Sequence, residues 1–292
     1  MKILIPVLFC LLLGGARAEI LLKDDRGVAV RLAAPAQRIV SLAPHITEVL
    51  FAAGAGARIV GTVEYSDHPE AAKAIRRVGG YSRLDLEAIA ALKPDLVIGW
   101  QSGNAPTHVD KLQQLGLTIF ISQPDRIEDI ATTLESYGRL AGTEATAQPA
   151  AQVFRERLSA LRARYAKRAP LSVFYQVWKQ PLTTVNGRQI ISDAVRLCGG
   201  TNVFADLPVL APNVSVEAVL AANPDVIMAS GMGDERPEWL DDWRRWRQMA
   251  AVARDNLYFV PPALIQRHTP RFLDGTEIIC QHLETARAKR PR

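Results

Sequence analysis

Cysteine and histidine are scarce in this chain, and their scarcity excludes most metal sites. The 292 residues include three cysteines and five histidines, with no HExxH motif and no histidine-rich loop. Two of the cysteines, Cys198 and Cys280, lack paired histidines at zinc-ligand spacing. We therefore predict no metal site. The histidines are scattered at His45, His68, His108, His268 and His282.

The motifs of several enzyme classes are missing as well. The sequence has no GxSxG nucleophile elbow and no Walker GxxxxGK[ST] loop. It would also have no free thiol for catalysis if Cys198 and Cys280 are paired and the N-terminal segment that contains Cys10 is cleaved. We predict that the protein is not an enzyme. A secreted hydrolase with an unrecognised site is the alternative.

Low-complexity segments and Gly/Ser-rich linkers are absent, and 48% of the residues are hydrophobic. A chain of this length and composition favours two domains over one.

The net charge is +5, but the basic residues are interspersed with acidic ones and lack interleaved aromatics. This pattern argues against a nucleic-acid partner.

The first eighteen residues are typical of a cleaved secretory signal. Lys2 is followed by an apolar run over 3–13 and by "ARA" ending at Ala18. The run is shorter than the roughly 20 apolar residues that a transmembrane helix needs. The mature chain is predicted to begin at Glu19, in the periplasm. Loss of Lys2 and Arg17 lowers the formal charge from +5 to +3.

The mature chain would then retain two cysteines. An even pair of thiols in an oxidising compartment favours a disulfide, so we predict a Cys198–Cys280 bridge. Two separate buried thiols are the alternative.

Apolar, β-branched strands alternate with helical segments along most of the chain. "EILLKDDRGVAVRL" predicts a small hairpin around a glycine-containing turn. "RIVSL", "PHITEVLFAAG" and "ARIVGTV" then predict a strand, a helix and a second strand, and the alternation continues. This pattern predicts an α/β fold with mostly parallel central sheets. Near the start of the first helix, His45 and Glu48 stand at i and i+3, where we expect them to cap the helix.

A long helical segment divides the pattern into two halves. Val153, Leu158, Leu161 and Tyr165 recur at near-helical spacing in a stretch rich in Ala, Arg and Glu. Because much of its circumference is polar, we predict a solvent-bathed spacer helix between two lobes. The predicted organisation is a signal peptide at 1–18, lobes at 19–143 and 169–292, and an interlobe helix at 144–168.

One stretch of the first lobe reappears in the second. "DLEAIAALKPDLVI" at 85–98 is echoed by "SVEAVLAANPDVIM" at 215–228. Each copy has a short helix, a Pro-Asp corner and a buried strand. Two similar α/β lobes would present their facing edges around a cleft, which is a favoured location for a ligand.

These repeated segments carry a family resemblance that spans about residues 37–287. The chain resembles the helical-backbone substrate-binding proteins that serve ABC importers of cobalamin, siderophores and haem, and in particular their periplasmic cobalamin-binding members. The resemblance implies a monomer that captures a corrinoid as transported ligand, holds no cofactor, and delivers its ligand to a dimeric permease in the inner membrane. It rests on "RIVSLAPHITEVLFAAG", "GTVEYSDHPEAA", "LDLEAIAALKPDLVIGW", "VRLCGGTNVF" and "VSVEAVLAANPDVI".

Two glutamates occupy matching places in the repeat. Glu87 and Glu217 each follow a predicted N-cap residue, Asp85 and Ser215, by two positions. From the residues alone, the favoured explanation is interaction with the helix dipole. The resemblance implies another role, since glutamates at the top of each lobe in this family pair with arginines of the permease.

Four aromatic residues are candidates for the ligand site. Tyr65, Tyr81, Trp100 and Trp178 lie at predicted strand ends or in the loops that follow, where open α/β sheets bind ligands. The resemblance places Tyr65, Tyr81 and Trp100 in a corrinoid pocket, with Tyr81 replacing a tryptophan. Packing in the core or at the rim is the alternative for each.

The second-lobe loops depart from the cobalamin-binding pattern, which has a phenylalanine near Val177 and an acidic residue near Ala263. A siderophore or haem therefore stays open as the ligand. For haem, an axial ligand could come from His68, Tyr65 or Tyr81.

Overall fold

The computed structural model describes residues 19–165, 167–233 and 235–290. The predicted signal peptide lies outside the described residues. None of the helices among these residues combines the length and the apolar composition that a membrane span requires.

The described chain opens with the predicted hairpin. Strands β1 (Ile20–Lys23) and β2 (Ala29–Leu32) pair antiparallel around a turn in which Gly27 has a positive φ of 81°. Val30 and Leu32 face the core, and the backbone N–H of Asp25 donates to the carbonyl of Ile121. The hairpin therefore packs on the first lobe.

The first lobe is a four-stranded parallel sheet in the order β4-β3-β5-β6. Each strand coincides with a buried run of β-branched and aliphatic residues, and the intervening helices cover the faces of the sheet. In chain order the elements are β3 (Ile39–Ser41), α1 (Pro44–Ala52), β4 (Ile59–Thr62), α2 (Leu86–Ala91), β5 (Leu96–Trp100), α3 (Pro106–Gln114), β6 (Ile119–Ser122) and α4 (Asp129–Ala141).

After helix α5 (Glu144–Tyr165), the second lobe repeats the arrangement with the order β10-β9-β7-β8, again parallel. Residues Glu238–Arg245 form a 3-10 helix that precedes the short α8 (Ala250–Ala253). The elements are β7 (Leu171–Gln176), α6 (Ile190–Leu197), β8 (Gly200–Asn202), α7 (Val216–Ala222), β9 (Val226–Ala229), α8 (Ala250–Ala253), β10 (Leu257–Phe259), α9 (Pro262–Ile265) and α10 (Phe272–Ala288).

The repeated Pro-Asp corner has the same structural role in both lobes. Asp95 accepts hydrogen bonds from the backbone N–H groups of Gln37 and Arg38, at 2.8 and 3.0 Å, just before β3. Asp225 accepts one from the N–H of Ser172, at 3.1 Å, at the start of β7. In each lobe the corner therefore fixes the first residues of a central strand. The predicted fold of two parallel α/β lobes joined by a long helix is confirmed.

Helix α5 is more deeply packed than the sequence predicted. Residues spaced alternately four and three apart form one buried stripe, whereas Val153 points outward and is 57% exposed. The expectation of a solvent-bathed helix is therefore wrong for this face. The stripe belongs to one continuous core that contains both Ile98 of the first lobe and Val173 of the second. Its members are Ala147, Ala151, Phe154, Leu158, Leu161 and Tyr165.

Arginines flank this stripe on both sides. Arg155 and Arg162 pair with Glu135 and Glu128 beside the first lobe. Arg157 pairs with Asp274 of α10 in the second lobe at 2.7 Å. Exposed pairs of this kind contribute only about 0–1 kcal/mol each, so the buried stripe dominates the attachment of α5. The proposed domain boundaries around α5 stay a prediction.

The predicted disulfide is present. Cys198, which follows α6, and Cys280 of α10 are bonded and fully buried. The bridge therefore ties the last helix to the body of the second lobe.

The buried stripe of α5 predicts how two substitutions change the free energy of unfolding. Leu158→Ala removes a side chain that is 3% exposed, and we expect the free energy of unfolding to fall by about 2–5 kcal/mol, as for other buried leucines. Val153→Ala, five positions earlier on the exposed face, is the matched control and should change it by less than about 0.5 kcal/mol. Urea unfolding of the mature oxidised protein measures both, and equal losses would contradict the assignment of the two faces.

Candidate ligand cleft between the lobes

A cleft of about 500 Å³ lies between the lobes, at the carboxyl ends of the parallel strands. This is the location expected for a ligand in open α/β sheets. The first lobe contributes Pro44, His45, Tyr65, Asp67, His68, Lys73, Tyr81 and Trp100, and the second lobe contributes Met232, Gly233, Pro262, Ala263, Gln266, Arg267 and Arg271.

Three of the four candidate aromatic residues line this cleft. Tyr65 is 67% exposed and Tyr81 38% exposed, whereas Trp100, at the end of β5, is partly buried. The rings of Tyr81 and Trp100 lie 5.9 Å apart at an angle of 49°. Such exposed aromatic faces bury large areas when a flat ligand stacks on them.

Asn104 holds two of these aromatic residues in place. Its side-chain oxygen accepts from the backbone N–H of Trp100 at 2.6 Å, and its amide nitrogen donates to the carbonyl of Tyr81 at 2.7 Å. The same nitrogen donates to the carbonyl of Leu42 at 3.0 Å. Asn104 is 4% exposed. Sequence reasoning missed this residue, because an asparagine in a loop gives no sign that it will be buried.

Trp178 is placed differently from the other three. It follows β7, is 40% exposed, and bridges to Thr183 in a local antiparallel pair. Among the described residues it is not part of the lining of the cleft. Its assignment to the ligand site stays a prediction.

Two arginines of the second lobe reach across to carboxylates of the first. Arg271 forms a bidentate pair with Glu48, at 2.6 and 2.7 Å, and Glu48 is 4% exposed. Arg267 donates to Asp67 at 2.6 Å. Partial burial raises the pKa of Asp67, but the hydrogen bond and charge of Arg267 outweigh it and hold this pKa below its ordinary value.

The expected capping role of His45 and Glu48 is wrong. Helix α1 has Ala43 at its N-cap and Pro44 in its first turn, with no side-chain hydrogen bond at the cap. Glu48 instead pairs with Arg271, which lies 223 positions away. A carboxylate spaced for a cap therefore serves as a contact between lobes.

The floor of the cleft contains a cluster of three rings from both lobes. His45 lies 5.0 Å from Trp100 and 5.2 Å from His268, measured between ring centroids. One ring nitrogen of each is buried without a hydrogen-bond partner: Nε2 of His45, Nε1 of Trp100 and Nδ1 of His268.

Burial determines the charge of both histidines. Loss of solvent lowers the pKa of His268 to about 4, and the negative charge of Asp125 only partly opposes this. Burial also lowers the pKa of His45 well below its ordinary value, with smaller contributions from His268 and Arg267. Both rings are therefore neutral at pH 7.

The remaining histidines are dispersed. His68 is exposed and lines the cleft, His108 lies on α3, and His282 stacks on Tyr258 at 4.5 Å. Within residues 19–165, 167–233 and 235–290, no three His, Cys, Asp or Glu side chains are grouped as a metal site would require.

The repeated glutamates lie on the surface outside the cleft. Asp85 and Ser215 are the N-caps of α2 and α7, as the sequence predicted, accepting from the N–H groups of Ala88 and Ala218. Glu87 and Glu217 follow in the first turn and are exposed. A hydrogen bond from its own N–H, followed by one from Ser215, lowers the pKa of Glu217. Both helix starts therefore present an available carboxylate.

The chain belongs to the periplasmic binding protein family, whose pattern matches residues 39–264. It is 40% identical over 253 residues to the vitamin B12-binding protein of Vibrio cholerae serotype O1, covering 86% of this chain and 91% of that protein. It is 37% identical over 248 residues to the vitamin B12-binding protein of Yersinia pestis, with coverage of 85% and 86%.

Solved structures agree with this assignment. The crystal structure of the periplasmic vitamin B12-binding protein BtuF of Vibrio cholerae matches with a TM-score of 0.81 and 39% identity, covering 87% of this chain and 98% of that one. The haem-binding protein RhuT of Roseiflexus shares the fold, with a TM-score of 0.75 at 23% identity and coverage of 86% and 99%. The resemblance predicted from the sequence is confirmed.

The neutral histidines predict a pH dependence of stability. Between about pH 4 and 6.5, the unfolded chain binds a proton at position 268 that the folded protein does not, so stability falls as the pH decreases through this window. The part due to His268 is about 2 kcal/mol between pH 7 and pH 5. In His268→Phe, the difference in unfolding free energy between these two pH values should shrink by about this amount. Urea unfolding at both values tests this, and an unchanged difference would contradict a buried neutral imidazole.

Proposed function

We propose that this protein captures cobalamin or a closely related corrinoid in the periplasm and delivers it to an ABC importer in the inner membrane. The observation that carries the proposal is 40% identity, over 86% of the chain, to a vitamin B12-binding protein. Tyr65, Tyr81 and Trp100 support it, because they line one cleft between the lobes. The protein acts by binding and release, and no covalent step is required.

The chemistry of the cleft suits a corrinoid. A corrin is a wide, mostly apolar ring that carries amide side chains. Partly exposed aromatic faces on the first lobe can stack on such a ring at low cost in side-chain entropy. Met232 and Ala263 provide apolar surface on the opposite lobe, and Gln266 adds an amide.

Two features of the chain support a periplasmic location. Residues 1–18 have the composition of a cleaved signal, and the Cys198–Cys280 disulfide suits an oxidising compartment. The mature protein would act as a monomer, presenting one lobe to each half of a two-fold permease.

Haem or a ferric siderophore is the second candidate ligand. Tyr65, Tyr81 and His68 all line the cleft and have side chains that can bind iron. Corrinoids are favoured, since the 40%-identical relative is named for vitamin B12 whereas the haem-binding neighbour shares the fold at 23% identity.

Isothermal titration of the mature oxidised protein with cyanocobalamin tests the ligand. We expect saturable one-to-one binding that Trp100→Ala weakens by about two- to tenfold, because one aromatic contact contributes about 0.5–1.5 kcal/mol. Trp246→Ala is the matched control, since this tryptophan packs against Trp243 and Arg245 away from the cleft. Binding of haemin or a ferric siderophore, with no binding of cyanocobalamin or cobinamide, would refute the corrinoid assignment.

We further propose that Glu87 and Glu217 dock the two lobes on the two permease subunits. Each is an exposed carboxylate in the first turn of a corresponding helix, one per lobe. Carboxylates of this kind form charge-assisted, bidentate pairs with arginine.

Charge reversal separates docking from ligand binding. Glu87→Arg with Glu217→Arg should abolish complex formation with the permease in proteoliposomes and leave the affinity for cyanocobalamin within twofold of the parent. Glu156→Arg with Glu238→Arg, at exposed sites outside the repeat, is the matched control and should dock normally. Intact transport by the first double variant would show that these glutamates do not dock the protein.

A further inference from the structure

A smaller cavity lies at the edge of the first lobe, apart from the ligand cleft. Its volume is about 240 Å³, and it forms where the N-terminal hairpin meets the edge strand β6 and the first turns of α4. Among the described residues, this cavity and the ligand cleft share no lining side chain. A role for the cavity is therefore separate from capture of the ligand.

Two carboxylates line this cavity from different elements. Asp25 comes from the turn of the hairpin, and Asp129 is the first residue of α4. The backbone N–H of Gln123 donates to one oxygen of Asp25. The N–H groups of Asp125 and Arg126 donate to one oxygen of Asp129, at 3.1 and 2.8 Å. These bonds fix both carboxylates in place and leave the second oxygen of each available.

The negative charge of these two aspartates is not neutralised by a neighbouring cation. Asp24, the residue before Asp25, pairs with Arg26 at 2.8 Å. Asp25 and Asp129 have no comparable partner within residues 19–165, 167–233 and 235–290, and no lysine or arginine is part of the cavity lining there. Two carboxylates therefore share one cavity without a counter-charge.

The pKa of Asp25 reflects this crowding. Although the residue as a whole is exposed, its carboxyl lies against the lobe, and the loss of solvent there raises its pKa. The charges of Asp129 and Asp24 raise this pKa further, whereas the N–H of Gln123 and the hydroxyl of Ser122 oppose the rise. The Ser122 hydroxyl therefore lies close to the Asp25 carboxyl.

The rest of the lining provides mostly uncharged oxygen atoms. Ser122 is 1% exposed, and its Oγ is buried without a hydrogen bond of normal geometry. A buried hydroxyl in this state is unfavourable unless an occupant of the cavity contacts it. Three further hydroxyls line the cavity, those of Thr132, Thr133 and Ser136.

These donors suit a hard divalent cation. Ca²⁺ takes about six to eight oxygen ligands in flexible geometry, from carboxylates, neutral oxygens and water. In the described part of the lining there is no histidine or cysteine, which softer metals would prefer. An organic ammonium ion is disfavoured, because Phe120 is the one aromatic side chain of this lining and offers little surface for an apolar body.

We propose that Asp25, Asp129 and Ser122 form a calcium site that ties the N-terminal hairpin to helix α4, with water completing the coordination shell. Only two of these ligands are carboxylates, and they come from distant segments, so no sequence motif marks the site. The inference goes beyond the proposed function and does not depend on it.

Isothermal titration of the mature oxidised protein with CaCl2, after removal of bound metal with EDTA, tests the site. The parent should show one saturable binding event. Asp25→Asn with Asp129→Asn should abolish it, because asparagine keeps the acceptor for the backbone N–H groups and removes the charge. Ser122→Ala should weaken it about two- to tenfold, as expected for loss of one neutral polar contact. Asp206→Asn, at an exposed aspartate of the second lobe, is the matched control and should bind Ca²⁺ as the parent does.

Thermal unfolding gives a second readout. A cation that binds only the folded protein should raise the Tm of the parent as the CaCl2 concentration increases. The Asp25→Asn, Asp129→Asn double variant should show no such rise. It should still bind cyanocobalamin as the parent does, so failure of this proposal and failure of the proposed function are distinguishable.

Three results would overturn the calcium site. The first is the absence of both a saturable heat and a Tm increase in the parent at CaCl2 concentrations up to about 10 mM, well above the dissociation constants of weak extracellular calcium sites. The second is Ca²⁺ binding that persists unchanged in the double variant. The third is binding of putrescine, but not of Ca²⁺, by the parent.

Discussion

The packing of helix α5 into a core shared by both lobes is the constraint on which the rest of the structure depends. Its buried residues recur every three to four positions, so that one face of the helix contacts apolar side chains from both halves of the chain. Interiors of this kind are close-packed and tolerate little relative movement. The spacing between the lobes, and with it the width of the cleft, is therefore set largely by apolar packing on the side of α5.

The polar contacts across the cleft form between lobes whose spacing is already set by the packing of α5. The Glu48–Arg271 pair is shielded from water and bidentate, yet the desolvation of two charges offsets much of their attraction. Its main effect is geometric: it fixes which residues of the second lobe face the first. Because the pair fixes the position of one lobe relative to the other, Arg267 reaches Asp67 and His45 lies beside His268.

Much of the architecture could be predicted from the sequence because it is encoded locally. Buried runs and helical segments alternate within each lobe, and the Pro-Asp repeat marks corresponding corners, so the parallel α/β arrangement follows. The disulfide followed from two cysteines in a secreted chain. Three cleft aromatics were also predictable, since Trp100 ends a strand and Tyr65 and Tyr81 lie in the connection that follows one.

What the sequence could not supply depends on contacts between distant residues. Val153 and Phe154 are adjacent and both apolar, and only the surrounding helices decide that Phe154 faces inward. Glu48 fits a helix-capping pattern in the sequence, and only the folded structure shows that its partner is Arg271 of the other lobe. The burial of Asn104 likewise depends on its tertiary surroundings.

Small-angle X-ray scattering of the mature protein, with and without saturating cyanocobalamin, tests the central claim most directly. A shared core along α5 predicts that the two scattering curves nearly superimpose, with only a small decrease in the radius of gyration on binding. A large compaction would show that the lobes close as independent bodies around a hinge, and it would contradict a cleft whose width is set by packing.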